Sequence, residues 1–247
     1  RVLFRSSRTR VSSGDMVWLL LRMNVAAGGR GLGAGDAAER GADAHAHARG
    51  IALAQHVAGH HLAGHEQVGA GPAAEAHGGR LGDISIYGQE SNPTTRRLCA
   101  MNLAIRGIEF NLGKTAVSTF KDDQHKDTKF DYIMMNPPFG KNASYPKKDL
   151  LDDVRWKKYG IPREKPANYA WLSHAIHHLA PKGRAGIVMP RGAVTSDQDT
   201  DGKIRSAFLD DDIIECIIDL PGQLFFNTQI PSSLWFFNKD KSKWNSN

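Results

Sequence analysis

The stretch Asp131-Tyr132-Ile133-Met134-Met135-Asn136-Pro137-Pro138-Phe139 decides the fold. An acidic residue opens a run of bulky apolar side chains, which predicts a buried strand over residues 132–135. The run then meets two prolines, which have no N–H to give to a ladder, so the sheet has to end at Asn136. In open α/β sheets ligands bind just past the carboxyl ends of strands, and this is where Asn136 falls.

Upstream, residues 84–87 predict another short strand, which runs through Gly88 to Glu90. A helix follows: Thr94 or Thr95 can cap it, Leu98, Met101 and Ile105 recur at helical spacing, and Gly107 ends it. A second strand is predicted over residues 117–120. Beyond Phe139 a loop rich in Lys, Asp and Pro reaches Pro166, and Tyr169, Leu172, Ile176 and Leu179 then mark one face of a helix closed by Pro181 and Gly183. Further strands are expected over residues 185–189, 213–218 and 233–237, with the Pro221-Gly222 turn and residues 224–226 between the last two. Strands alternating with helices predict an α/β fold with a mostly parallel sheet covered on both faces.

The composition breaks near residue 80. Residues 1–80 hold no Lys and no Tyr, whereas the remainder holds 15 Lys and all five Tyr. Seven of the 11 His lie in the first part, which is dominated by Ala, Gly, Arg and His without sustained periodicity. Val2-Leu3-Phe4-Arg5-Ser6 is also what the common sequencing-adapter string GTGCTCTTCCGATCT encodes. Residues 1–79 are therefore expected to be a low-complexity or artefactual segment, and residues 80–247 the domain. The net charge of +6 suits a polyanionic partner without requiring one. Cys99 and Cys216 lie far apart, which indicates neither a disulfide scaffold nor a zinc site and makes a reducing, cytoplasmic setting the default. The apolar run over residues 16–21 is too short to span a bilayer, so no membrane segment or signal peptide is expected.

Asn136, Pro137, Pro138 and Phe139 are the candidate catalytic residues. The exocyclic amine of adenine is a poor nucleophile because its lone pair is delocalised into the ring. Two acceptors for its N–H hydrogens favour a more tetrahedral nitrogen, and the Asn136 side-chain oxygen and the Pro137 carbonyl can supply them. By analogy with losing one oxyanion-hole donor, removing the Asn136 amide would raise a barrier by about 3 kcal/mol. Phe139 offers a face on which an extruded base can stack, worth about 1–3 kcal/mol. An isolated Asn-Pro-Pro is most often a plain turn. Here it follows an Asp-led strand and lies 46 positions after Glu90, itself just past a strand end and able to accept from a ribose diol. The adjacent His177 and His178 point about 100° apart on a helix, which favours capping or packing over metal binding, and no metal site is expected. Trp156 and Trp171 are expected to be core or loop anchors. The lysines of residues 141–165 suit either phosphate contacts or a solvated charge run.

Three motifs together resemble the modification subunits of type I restriction-modification systems, within the N6-adenine DNA methylases. These are Tyr87-Gly88-Gln89-Glu90-Ser91-Asn92-Pro93-Thr94-Thr95, Met101-Asn102-Leu103-Ala104-Ile105-Arg106-Gly107 and Asn136-Pro137-Pro138-Phe139. The likeness extends over residues 77–240 and includes Asn168-Tyr169-Ala170-Trp171, His177-His178-Leu179-Ala180-Pro181 and Gly183-Arg184-Ala185-Gly186-Ile187-Val188. Asn-Pro-Pro followed by an aromatic residue would by itself also suit methyltransferases acting on protein glutamine or RNA guanine. The resemblance implies a Rossmann-like, S-adenosylmethionine-dependent methyltransferase fold with a reversed last strand. It also implies that Glu90 grips the cofactor ribose, that residues 136–139 act on an adenine flipped from double-stranded DNA, and that separate specificity and restriction subunits complete the complex.

The sequence departs from the family at two places. The first cofactor motif, an Asp-Pro pair leading into a Gly-Ser-Gly-Gly loop, is expected upstream of Glu90, where residues 58–65 read Ala-Gly-His-His-Leu-Ala-Gly-His. Ser118 stands where the family pattern places an Asp against the cofactor adenine. The domain is accordingly expected to be incomplete at its N-terminal side. The alternative to an adenine methyltransferase is a catalytically inactive fragment of one that at most binds DNA or a partner subunit.

Overall fold

The computed structural model describes residues 84–138, 144–196, 199–222 and 231–241 and, for the backbone alone, residues 19–23. Phe139, residues 58–65 and residues 224–226 lie outside the described residues. The strands are β1 (Leu19–Met23), β2 (Ile84–Tyr87), β3 (Glu109–Asn111), β4 (Phe130–Met135), β5 (Leu179–Pro190), β6 (Ile214–Asp219) and β7 (Ser232–Asn238). They form one sheet in the order β3-β2-β1-β4-β5-β7-β6. The helices are α1 (Pro93–Ile105), α2 (Asn168–His178), a single turn α3 (Gly192–Thr195) and α4 (Asp199–Asp210).

β2 pairs parallel with β3, and β4 with β5, while β7 runs against both β5 and β6. The reversed last strand is as expected. β1 comes from within residues 1–79, and where a mostly parallel sheet is expected it runs antiparallel to both β2 and β4. Since both neighbours oppose β1, β2 and β4 run the same way, and Leu20 sits level with Tyr87 on one side and with Ile133 on the other.

α1 starts where Pro93 takes the first helical position and Asn92 caps it, its side-chain oxygen accepting from the N–H groups of Thr94 and Thr95 at 2.9 and 3.2 Å. The cap is therefore neither threonine. The helix ends at Gly107, which adopts a positive φ of 65°. The buried face is also not the expected one. Cys99 and Leu103 pack with Ile86, Ile108 and Leu112, while Leu98, Met101 and Ile105 are exposed. Ile86 and Tyr87 point to opposite faces of β2, so α1 covers the Ile86 side and the main core fills the other.

That main core is built on α2, where all residues except His177 are buried, rather than a single stripe. Trp156, Trp171, Phe120 and Phe130 pack around it, and the two tryptophans are core anchors as expected. α4, which the sequence reading did not foresee, adds Ile204 and Phe208 to the same core. The strand expected over residues 117–120 is a loop that buries Phe120, and the short strand lies earlier, at Glu109–Asn111. β5 begins directly after α2 and bulges before regaining register with β4 at Tyr132↔Arg184. Gly183 makes the bulge possible, because a Cβ there would lie 2.8 Å from the Phe130 carbonyl oxygen.

Candidate functional site

β2 and β4 end at one edge of the sheet with β1 between them. Asn136 follows Met135 directly, and Glu90 lies three residues beyond Tyr87. Two strand spacings separate the ends, about 10 Å. The structure thus brings both sequence-predicted segments to one edge, at the crevice between neighbouring strand ends.

Glu90 is buried, with its Oε1 accepting from the Asn92 backbone N–H at 2.7 Å and from the Ser91 hydroxyl at 3.4 Å. The turn before α1 therefore aims the carboxylate. Asn136 is 9% exposed and directly follows the last residue of β4. Pro137 is buried and Pro138 partly so, which holds the turn rigid. Phe139 lies outside the described residues.

The loop of residues 113–129 is tied to the end of β2. The Gln89 Nε2 donates to the carbonyls of Val117 at 3.0 Å and Asp122 at 2.6 Å, and its Oε1 accepts from the Gln124 N–H at 3.1 Å. His125 Nε2 lies 2.8 Å from the Gly88 carbonyl. Ser118 caps a turn in this loop, its hydroxyl accepting from the Phe120 N–H at 3.3 Å.

The same loop is clamped to α2. Asp123 Oδ2 lies 2.9 Å from His178 Nε2, and His178 Nδ1 lies 3.0 Å from the Thr128 carbonyl. Arg155 donates to the Thr119 carbonyl at 2.9 Å and to His174 Nδ1 at 3.2 Å, while Asp153 grips its guanidinium at 2.7 and 2.8 Å. Burial raises the Asp123 carboxyl, but the His178 hydrogen bond, the neighbouring His174 and His178 and the His125 N–H outweigh it and hold it well below the usual carboxylate range. Burial, with the His178 and Arg155 charges, pushes His174 down and keeps it neutral.

Asp123, His174 and His178 could each offer one metal-ligand atom within 4.8 Å of the others. Arg155 can only donate, so His174 Nδ1 accepts and the proton sits on Nε2, while both nitrogens of His178 already face oxygen partners. The guanidinium supplies the positive charge that an ion would bring. His178 is thus a packing residue, as the sequence suggested, and the Asp123-Arg155-His174 part of the network joins segments too far apart in sequence to announce themselves.

The residues at the edge fit the nucleoside half of a methyl-donor cofactor, with an aimed, buried carboxylate in Glu90 and a wall fixed by Gln89. β1 offers no equivalent for the donor's amino-acid half there, because its carboxyl end, Met23, lies level with Ile84 at the opposite edge. Among the described residues no helix is long and apolar enough to cross a membrane.

A sheet ordered β3-β2-β1-β4-β5-β7-β6 with β7 reversed has the Rossmann-like fold of the S-adenosylmethionine-dependent methyltransferases. More narrowly, the chain belongs to the N-6 DNA methylase family, whose model matches residues 68–247. It is 46% identical over 168 residues to the type I restriction enzyme HindI methylase subunit of Haemophilus influenzae, covering 68% of this chain and 38% of that one. It is 39% identical over 171 residues to the type I restriction enzyme MjaIX methylase subunit of Methanocaldococcus jannaschii, covering 68% of this chain and 30% of that one. Among solved structures, the type I restriction-modification system methyltransferase subunit from Streptococcus thermophilus superposes with a TM-score of 0.55 at 30% identity, covering 62% of this chain and 34% of that one. The chain thus spans about a third of the length of these relatives.

Proposed function

We propose that this chain carries the catalytic half of a site-specific DNA methyltransferase that transfers a methyl group from S-adenosylmethionine to adenine N6. It does so as the modification subunit of a type I restriction-modification system. The observation that carries the reading is the place of Asn136, before Pro137 and Pro138 at the end of β4, at the same sheet edge as Glu90 beyond the end of β2.

When bound, S-adenosylmethionine supplies an electrophilic methyl group. Glu90 accepts hydrogen bonds from its ribose hydroxyls. Asn136 Oδ1 and the Pro137 carbonyl accept the two N6 hydrogens of an adenine flipped from double-stranded DNA, and Phe139 stacks on its ring. Pro138 locks the turn so that the acceptors need no reorganisation. Reading of the DNA sequence falls to a separate specificity subunit, cleavage to a restriction subunit, and the setting is cytoplasmic.

The test is transfer of a labelled methyl group to plasmid DNA by the full-length native protein with its specificity subunit. Asn136→Ala is expected to lower the rate on the order of 100-fold, the equivalent of about 3 kcal/mol. A variant as active as the parent sinks the assignment.

The direction of β1 and the departure over residues 58–65 favour a second reading, a fragment that binds DNA or a partner subunit without turnover. Calorimetric titration with S-adenosylmethionine separates the two. Absence of binding that is restored by grafting an Asp-Pro and Gly-Ser-Gly-Gly segment supports the second.

A further inference from the structure

We propose that Gln89 is the positioning residue of the cofactor site. Its carboxamide fixes the Gly88-Gln89-Glu90 segment against the loop of residues 117–125 and so sets where the Glu90 carboxylate stands. The inference rests on the reading of Glu90 as the ribose ligand.

Gln89 is 4% exposed, and the bonds it makes use its whole donor capacity: both Nε2 hydrogens go to carbonyls, of Val117 and Asp122, and Oε1 takes the Gln124 N–H. Only a primary amide offers two donors and an acceptor in one plane at this reach. The residue before it is fixed as well, since the Gly88 N–H donates to the Asn111 carbonyl at 3.0 Å and its own carbonyl meets His125 Nε2. The loop it holds is stiff, because Gln124 closes it onto Thr115 with Nε2 bonds to the Thr115 carbonyl at 3.2 Å and hydroxyl at 2.9 Å, and Asp123 anchors it to α2. Gln89 therefore ties the strand end that carries Glu90 to a wall braced against the main core. Glu90 itself is aimed by Asn92 from the other side, so the carboxylate sits between two fixed points.

Gln89→Glu is the diagnostic change. It keeps the acceptor for Gln124 but turns an oxygen toward the carbonyls of Val117 and Asp122. At about pH 8 that oxygen is charged and repels both carbonyls, whereas protonation on acidification restores one donor. The titratable neighbours Glu90, Asp122, Asp123 and His125 are common to parent and variant, so the parent at each pH is the control. Gln89→Met keeps the volume and offers no hydrogen bond at any pH.

The experiment measures S-adenosylmethionine affinity of the full-length native protein by calorimetry at about pH 8 and about pH 5.5, with urea unfolding on the same samples. Expected are at least about 10-fold weaker binding for Gln89→Glu at the higher pH, recovery to within about threefold of the parent at the lower, and equal weakening of Gln89→Met at both. In the methylation assay, KM for the cofactor rises while kcat changes less than about twofold, because the acceptors on Asn136 and Pro137 are untouched. Parent-like binding by both variants overturns the inference and leaves the function standing. Loss of affinity that tracks loss of global stability, with no recovery of Gln89→Glu on acidification, also overturns it, because Gln89 is then merely structural. Failure of the parent itself to bind overturns the reading of Glu90 and this inference with it.

Discussion

Replacing Asp123 by alanine removes the anion that joins the loop to α2. Its carboxylate accepts from His178 at 2.9 Å and from the His125 N–H at 3.1 Å, with Arg155 at 4.0 Å, and the side chain is 13% exposed. Two charge-assisted hydrogen bonds at about 1.5–3 kcal/mol each set an upper range of about 3–6 kcal/mol. Arg155 keeps Asp153 as its main partner and Asp123 keeps some solvent, so we expect about 3–4 kcal/mol. For a domain of this size that lowers Tm by about 10 °C. Asp123→Asn retains an acceptor for the His125 N–H and loses the charge, costing about 1–2 kcal/mol. Urea unfolding followed by circular dichroism near neutral pH measures both, and a double change with His178→Ala gives their coupling. An alanine variant within about 1 kcal/mol of the parent, or an asparagine variant as unstable as the alanine one, would refute the argument.

Gly183→Ala places a Cβ against the backbone of Phe130 and Ala180, at 2.8 and 3.0 Å, and should cost about 1–3 kcal/mol in urea melts. Asn92→Ala removes the α1 cap but keeps the backbone N–H that Glu90 accepts from, lowering stability by about 1 kcal/mol; an unchanged midpoint would count against the cap. His177 is pushed down to about 4 by burial and the Lys129 charge, and His174 is lowered as well, so the unfolded chain takes up protons first as the pH falls from neutral. Stability should decline between about pH 7 and pH 4, and the lowered Asp123 adds a further loss below its unfolded value near 3.8; a midpoint flat over that range contradicts the burial of His174 and the half-burial of His177.

The parts of the fold legible in the sequence are those where local chemistry and packing agree. β2 falls where its apolar run predicts, β4 stops where Pro137 forbids pairing, and β7 lies within one residue of its leucine and aromatic run. β3 was hidden because Glu109–Asn111 is short and mixed, a strand only because it pairs with β2, while the more strand-like residues 117–120 are held as a loop by Gln89. The apolar face of α1 misled for a related reason. Leu98, Met101 and Ile105 have the spacing of a core stripe, yet the sheet takes the smaller Cys99 with Leu103. At the site, Glu90 and Asn136 could be read from their strand ends, but their shared edge depends on β1 between them, and neither the sequence of β1 nor its direction announces that place. The Asp123-Arg155-His174 network was beyond reach, since Arg155 shows no sign in sequence of meeting Thr119 or His174.

β1 also governs how the sheet comes together. Among the described residues, the five of β1 form the ladder between the β3-β2 pair and the β4-β5-β7-β6 group, and their partners on either side lie more than sixty and more than a hundred positions along the chain. Closing such large loops costs entropy before any pairing repays it, so the two halves join late and part early. If that strand lifts, the crevice between Glu90 and Asn136 gapes, and the amide protons of residues 19–23 should exchange with solvent well before those of β5.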